Sequence, residues 1–172
     1  LPISCKNTTA MTHQIILLVL VAFIPVLPFI YKKAGRRWTR FYLNMAMREQ
    51  NRKTFILVMA VLILSVNFLQ YRISGPDLWL IPGFITGLLA LKYKWADAVL
   101  RWIHKDRMLQ LFALAFFFLV SMDARLFTLA VAFALTIDFS FFYPSARIIE
   151  MAESAPDELK AMSNEEVRDL YF

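Results

Sequence analysis

Apolar residues along this chain are gathered into five runs that are separated by polar or charged stretches. The runs are residues 15–31, 55–69, 78–91, 108–122 and 126–143. Each lacks Lys and Arg, and only the last contains a carboxylate, Asp138. They are slightly shorter than the roughly 20 residues that cross a bilayer as a helix, but their polar and aromatic flanks extend them. Backbone groups in hydrocarbon must be satisfied within the segment, and strand-like alternation is absent, so the pattern predicts helices.

The predicted fold class is an all-α integral membrane protein with about five short transmembrane helices. A hydrophobic fraction of 59% in 172 residues is more apolar surface than a small water-soluble domain can cover. Three regions are expected: an extracytoplasmic N-terminus (1–13), a transmembrane domain (14–143) and an acidic tail (144–172). The run with Pro82 could instead be re-entrant, and 108–143 could be a hairpin that dips without crossing, which leaves four or three crossings open.

The orientation of the chain follows from the charges between the runs. Residues 32–53 contain eight Lys or Arg and one acid, and residues 92–107 contain five Lys or Arg and two acids. The two opposite connections are short and nearly neutral. The positive-inside rule places both basic loops in the cytoplasm, so five crossings put the N-terminus outside and the tail inside. Compact loops and short crossings favour a bacterial inner membrane.

Both basic loops are predicted to form amphipathic helices that lie in the lipid headgroup plane, with aromatic residues on one face and cations beside it. The residues expected to contact headgroups are Trp38, Arg36, Arg37, Arg40, Trp95, Trp102, Lys94, Arg101 and Lys105. In the second loop, Asp97 falls away from the tryptophan face. The alternative for these helices is a docking face for a partner or for a specific acidic lipid.

The tail contains seven Asp or Glu and three Lys or Arg. The sequence Ser163-Asn164-Glu165-Glu166 matches a capping box, and Ser154 before Pro156 is a second helix start, so two short helices are predicted. The tail either folds back on the basic loops or binds a partner. The partner-binding residues would be Glu165, Glu166, Leu170, Tyr171 and Phe172.

Four residues inside the apolar runs are candidates for a special role. Asp138 costs about 2.5–3.5 kcal/mol in hydrocarbon, so it is expected to pair, for example with Arg147 on the same helix. An ion-coupling role and a contact with another subunit are its alternatives. Asn67 is expected to hydrogen-bond across helices, and Gly83 with Gly87 forms a GxxxG pattern for close packing within the chain or between copies.

The sequence offers little for catalysis. Its two histidines lie far apart, Cys5 is its single cysteine, and no catalytic or nucleotide-binding motif occurs. No metal and no cofactor is expected. Because the basic residues adjoin apolar runs, they indicate membrane lipids rather than nucleic acid.

Three functions remain as hypotheses. The favoured one is a non-catalytic membrane subunit or accessory factor of a larger assembly, acting through the interfacial helices and tail. The second is a small oligomeric transporter, channel or holin-like pore that uses Asp138. The third is a membrane-embedded lipid-modifying enzyme with His104 and Asp106 at the surface.

Overall fold

A computed structural model describes residues 11–12, 15–16, 18–19, 36–105 and 107–171. From residue 36 onward these residues form helices and no strands, which confirms the all-helical class. The α-helices are α1 (Arg36–Met47), α2 (Glu49–Ser74), α3 (Ile81–Ala90), α4 (Tyr93–Lys105), α5 (Arg107–Ser121), α6 (Phe127–Phe142), α7 (Ala146–Ser154), α8 (Pro156–Ala161) and α9 (Asn164–Tyr171). The first apolar run and the N-terminal region 1–13 lie mostly outside the described residues.

Four apolar helices, α2, α3, α5 and α6, pack into one bundle. Successive helices of the pairs α2–α3 and α5–α6 are joined by short turns, which makes them antiparallel neighbours. Both turns lie at the same end of the bundle, because the Arg125 guanidinium is 5.8 Å from the centre of the Trp79 ring. At the opposite end, Arg52 of α2 contacts Tyr93 of α4. The two short, nearly neutral connections are therefore grouped at one end of the bundle and α4 at the other.

Helix α2 is much longer than its apolar run, because polar residues at both ends continue the helical turns. It contains 26 residues and ends at Gly75, whose φ of 77° is in the region that favours glycine. The Gly75 amide donates to the Tyr71 carbonyl at 2.9 Å, and Pro76 then prevents the helix from continuing.

The third and fifth apolar runs begin with a single 3₁₀ turn before their α-helix. These turns are Leu78–Leu80 and Ala124–Leu126. In each case an aspartate comes first: Asp77 Oδ1 accepts the Trp79 amide at 3.2 Å, and Asp123 Oδ1 accepts the Arg125 amide at 2.9 Å. These caps satisfy amides that a helix start leaves without partners.

Two helical segments, Glu49–Ser74 and Ala124–Phe142, are long and apolar enough to cross a membrane. Leu78–Ala90 and Met108–Ser121 are also apolar, but they are shorter. By length and composition alone, the described residues thus contain two candidate spans rather than the four that the sequence predicts in this part of the chain.

Helix α6 is the centre of the bundle, since it contacts α2, α3, α4 and α5. Small residues make this possible. Ala130, Ala132 and Ala134 are fully buried, so neighbouring helices approach α6 closely on more than one side. Phe117 of α5 and Ile63 of α2 fill the space between the backbones.

A second, smaller core lies at the end of the bundle where α4 is found. It joins α1 to the three tail helices α7, α8 and α9, and we call this unit the cap. Its buried members are Tyr42, Ala46, Ile148, Leu159 and Val167. The tail therefore folds against the first basic helix and uses its apolar residues internally.

The tail has three helices where the sequence predicts two. The additional helix, α7, begins at Ser145, whose hydroxyl accepts the Ile148 amide. The capping box is confirmed: the Ser163 amide donates to Glu166 Oε2 at 2.7 Å, and the Glu166 amide donates to the Ser163 hydroxyl at 3.3 Å. Hydrogen bonds to the Glu166 carboxylate from the Ser163 amide and then from the Ser163 hydroxyl lower the pKa of Glu166. The second predicted helix is also present, since α8 begins at Pro156, but Ser154 does not cap it: Ala155 is the N-cap residue, and the Ser154 hydroxyl donates back to the Glu150 carbonyl within α7.

Candidate functional site

A buried polar network lies where α4, α6 and α2 meet, at the end of the bundle that carries the cap. The Asp97 carboxylate of α4 accepts the hydroxyl of Tyr143, the residue after α6, and forms an ion pair with Arg101 one turn further along α4. Asp97 is 4% exposed and Tyr143 is fully buried. An ionised carboxylate in such a place needs both a charge partner and a hydrogen-bond donor.

Arg52 extends this network toward α1. Its guanidinium donates to the carbonyl oxygens of Met45 (3.2 Å) and Ala46 (2.7 Å), in the last turn of α1. It also donates to the Tyr93 hydroxyl at 3.4 Å. A helix C-terminus leaves carbonyl groups without amide partners and carries partial negative charge, so a buried arginine is well suited to this position. Arg52 thus links α1, α2 and α4.

The network is a junction of helices rather than an open reaction site. Its carboxylate and Tyr143 are buried, whereas Tyr93 and Arg101 are half-buried. Sequence reasoning missed Asp97, Tyr143, Arg52 and Tyr93. One local signal was present, since Asp97 and Arg101 have the i,i+4 spacing of a helical ion pair. The spacing cannot reveal that α6 ends against this pair.

Asp138 does not have the partner that the sequence suggested. The expected pairing with Arg147 assumed one continuous helix, but α6 ends at Phe142 and Arg147 is exposed on α7. Asp138 is 9% exposed, and its Oδ1 atom has no hydrogen-bond partner among the described residues. Its role in ion coupling or subunit contact stays a prediction.

Asn67, Gly83 and Thr128 meet where α2, α3 and α6 cross. The Asn67 amide donates to the Ile63 carbonyl of its own helix at 2.9 Å, so the described residues do not contain the predicted cross-helix bond. Its Oδ1 atom and the Thr128 hydroxyl are buried without a partner in this part of the chain. Gly83 is buried beside both atoms, and Gly87 is buried against Leu64. The GxxxG pattern is therefore placed at a contact within the chain.

The predicted headgroup residues of α1 differ in their surroundings. Trp38 is 36% exposed and stacks on Phe142 of α6 with ring centres 5.8 Å apart, and Arg40 is exposed. The side chains of Arg36 and Arg37 lie outside the described residues. The opposite face of α1 packs in the cap, so only part of this helix is free to meet a membrane.

The second group lies on α4, and its members have different surroundings. Trp95 and Trp102 are 54% and 62% exposed, and Lys94 and Lys105 are also exposed. Asp97 faces the protein interior, and Arg101 turns toward it. His104 Nδ1 lies 3.0 Å from the Ser140 carbonyl of α6, while its suggested companion Asp106 is outside the described residues.

The predicted partner-binding residues of the tail have different surroundings. Glu165 and Glu166 are exposed, while Leu170 packs partly buried in the cap. The Tyr171 side chain and Phe172 lie outside the described residues. Within the described ranges, no group of three or more His, Cys, Asp or Glu side chains is arranged to hold a metal ion.

A cavity of about 490 Å³ opens between α2 and the segment that leads into α3, at the end away from the cap. Its lining residues are Leu64, Asn67, Phe68, Tyr71, Pro76, Asp77, Leu78, Leu80, Ile81 and Phe84. This volume falls within the roughly 300–1,000 Å³ of typical small-molecule sites. Apart from Asn67, the lining has polar side chains only near the turn that joins the two helices.

In comparisons with known proteins, no protein-family model, curated protein or solved structure matches this chain.

We expect Gly83→Ala to destabilise the bundle by about 1–3 kcal/mol, the usual cost of overpacking. A Cβ atom there would lie 2.6 Å from the Thr128 hydroxyl oxygen and 2.8 Å from Asn67 Oδ1. Ile85→Ala, at an exposed position of the same helix, is the control. Thermal unfolding in detergent would measure both. Equal midpoints for the two variants would contradict the assignment of Gly83 to a rigid contact.

We expect Asp97→Asn to destabilise the protein by about 3 kcal/mol, the lower end for breaking a buried pair, because Arg101 is partly exposed. Asn can still accept the Tyr143 hydroxyl, so the loss would report the charge pairing. In the double variant Asp97→Asn/Arg101→Gln, part of the loss should be recovered. Lys94→Gln, at an exposed position of the same helix, is the control. Strictly additive effects in denaturant unfolding would show that the two residues are not coupled.

Proposed function

We propose that this chain is an integral membrane protein whose apolar helices cross a bilayer, with the cap on the cytoplasmic side. The observation that carries this proposal is the apolar surface of α2. Only 28% of the most apolar 18-residue stretch of α2 is buried inside the protein. Leu, Val and Phe side chains of α2 are exposed. The core helix of a soluble protein would cover these residues with other helices, whereas lipid can solvate them directly.

The lengths of the helices are compatible with a bilayer. With a rise of 1.5 Å per residue, the 26 residues of α2 extend about 39 Å, more than the roughly 30 Å of the hydrocarbon core. Helices α3 and α5 are shorter, so local thinning and their polar flanks must complete their crossings. We propose five crossings, including the first apolar run, with the N-terminus outside.

The distribution of charge supports this orientation. Cationic side chains of α4, of Arg48 between α1 and α2, and of Lys53 in α2 gather at the end of the bundle that carries the cap. The opposite turns contain the balanced residues Arg72, Asp77, Asp123 and Arg125. Such an asymmetry is typical of a cytoplasmic basic side. We propose a bacterial inner membrane because the loops are compact and the crossings are short.

We further propose that the protein is a non-catalytic subunit or accessory factor of a larger membrane assembly. Its cap buries its own apolar residues and leaves a set of carboxylates exposed for contact. The exposed acids are Glu150, Glu153, Asp157, Glu158, Glu165, Glu166 and Asp169. A surface of this kind favours a partner with a basic face, because complementary charge steers association and excludes wrong partners.

A small oligomeric transporter or pore is the second candidate. The observation in its favour is the Asp138 carboxylate oxygen, which lacks a hydrogen-bond partner in the described part of the chain. A carboxylate within an apolar helix is a default candidate for ion passage.

The membrane arrangement predicts different accessibility for cysteines introduced at three positions in a Cys5→Ser background. Met122→Cys, 85% exposed in an outer turn, should react with an impermeant maleimide on intact cells. Lys92→Cys and Glu153→Cys should react only after permeabilisation. Labelling of Lys92→Cys on intact cells would instead identify α3 as re-entrant, and equal labelling of all three positions, whether before or only after permeabilisation, would contradict membrane insertion.

The accessory role predicts a partner that binds the acidic cap. The wild-type chain, purified from native membranes in mild detergent, should retain a stoichiometric protein, and Glu153→Gln/Glu158→Gln should retain it less because the surface loses two charges. Gln50→Lys/Thr54→Lys makes the same change of charge at exposed positions of α2 and is the control. A homo-oligomer without another protein would favour the pore instead.

A further inference from the structure

The cavity at the outer end of the bundle has the form of a site for one hydrocarbon chain. Its long wall follows α2 from Leu64 to Tyr71, a rise of about 10 Å. Phe68 of α2 and Phe84 of α3 stand at its sides, and both are exposed on the apolar surface of the bundle. A ligand can therefore enter sideways from lipid as well as from the end of the bundle.

The inner part of the cavity offers no free hydrogen-bonding group to a ligand. Asn67 is the one polar residue in the wall of this part. Its Oδ1 atom is buried beside Gly83 and is not accessible to water. Its amide nitrogen is already bonded to the Ile63 carbonyl. The other walls of this part are the apolar side chains of Leu64, Ile81 and Phe84. Such walls select an alkyl chain over a polar metabolite.

The mouth of the cavity has the opposite character. The exposed Asp77 carboxylate is the one ionisable acid in the lining, and the Tyr71 side chain lies beside it along the same rim. Asp77 uses Oδ1 to cap the Trp79 amide and forms no ion pair with another described residue. An exposed acid at the mouth of an otherwise apolar cavity complements the ammonium group of a zwitterionic headgroup.

We propose that this cavity binds one acyl chain of a phospholipid from the outer leaflet, with an amine-bearing headgroup such as ethanolamine. The ammonium group contacts the Asp77 carboxylate at the mouth of the cavity. This assignment rests on the proposed membrane insertion. It adds a ligand site at the end of the molecule opposite the acidic cap.

The test measures which lipid stays bound to the full chain. The protein is reconstituted in vesicles of equal parts phosphatidylethanolamine and phosphatidylglycerol, extracted in mild detergent and analysed by native mass spectrometry. One retained phosphatidylethanolamine per chain is expected, with an about two- to fivefold preference over phosphatidylglycerol, because partly exposed ion pairs contribute modestly.

Three variants locate the site. Ile81→Trp should fill the cavity and abolish retention, while Ile85→Trp should keep it, because Ile85 is similarly exposed on α3 but does not line the cavity. Asp77→Asn preserves the hydrogen bond to the Trp79 amide, since an asparagine side chain accepts this bond as well as an aspartate does. It should remove the headgroup preference. Wild-type levels of retention in Ile81→Trp would overturn the assignment.

The remaining outcomes separate this inference from the membrane proposal. A chain that inserts into vesicles but retains no lipid would overturn the lipid site alone. A lipid-free dimer that Ile81→Trp dissociates would assign the cavity to a second copy of the chain and overturn the proposal. A chain that stays in solution without detergent would overturn membrane insertion and the lipid site together.

Discussion

The Asp97 carboxylate holds together the parts of the structure that the chain itself keeps far apart. It accepts the hydroxyl of Tyr143 at the end of α6 and pairs with Arg101 on α4, while Arg52 and Tyr93 continue the network to α1 and α2. An ionised group in this position is costly to bury, and it is tolerated only if its partners stay in place. The same requirement fixes where α6 must end and how α4 must lie.

The end of α6 in turn determines the position of the cap. Tyr143 is held by Asp97, so Pro144 and Ser145 leave the bundle from a defined point and α7 begins against α1. Stacking of Trp38 on Phe142 adds an apolar contact across the same boundary. The bundle and the cap are therefore coupled mechanically, and the partner proposed for the acidic surface would bind elements attached directly to α6.

The two ends of the bundle differ in the chemistry they present. The end with the cap carries cations, exposed tryptophans and a network of buried polar groups, whereas the other end has short turns capped by Asp77 and Asp123 and a largely apolar cavity. Between them, apolar side chains of α2 and α5 face outward. A bilayer requires this distribution of a protein that spans it: polar surface at both ends and apolar surface between them. It is also the arrangement that lets a lipid contribute to the structure as a bound component.

The sequence by itself determined the helical class, the approximate apolar helices from residue 55 onward, the alternation of charge between their connections, and the Ser163–Glu166 capping box. These features depend on neighbouring residues and on periodicity, so they can be read locally. Tertiary structure decided the rest: Asp97 turned inward, Leu159 and Val167 buried in the cap, Asp138 separated from Arg147, and Gly83 packed beside Thr128. The deciding contacts join residues such as Asp97 and Tyr143, 46 positions apart, or Arg52 and Tyr93, 41 positions apart. No local pattern records such pairs, because they form only when packing brings separate helices together.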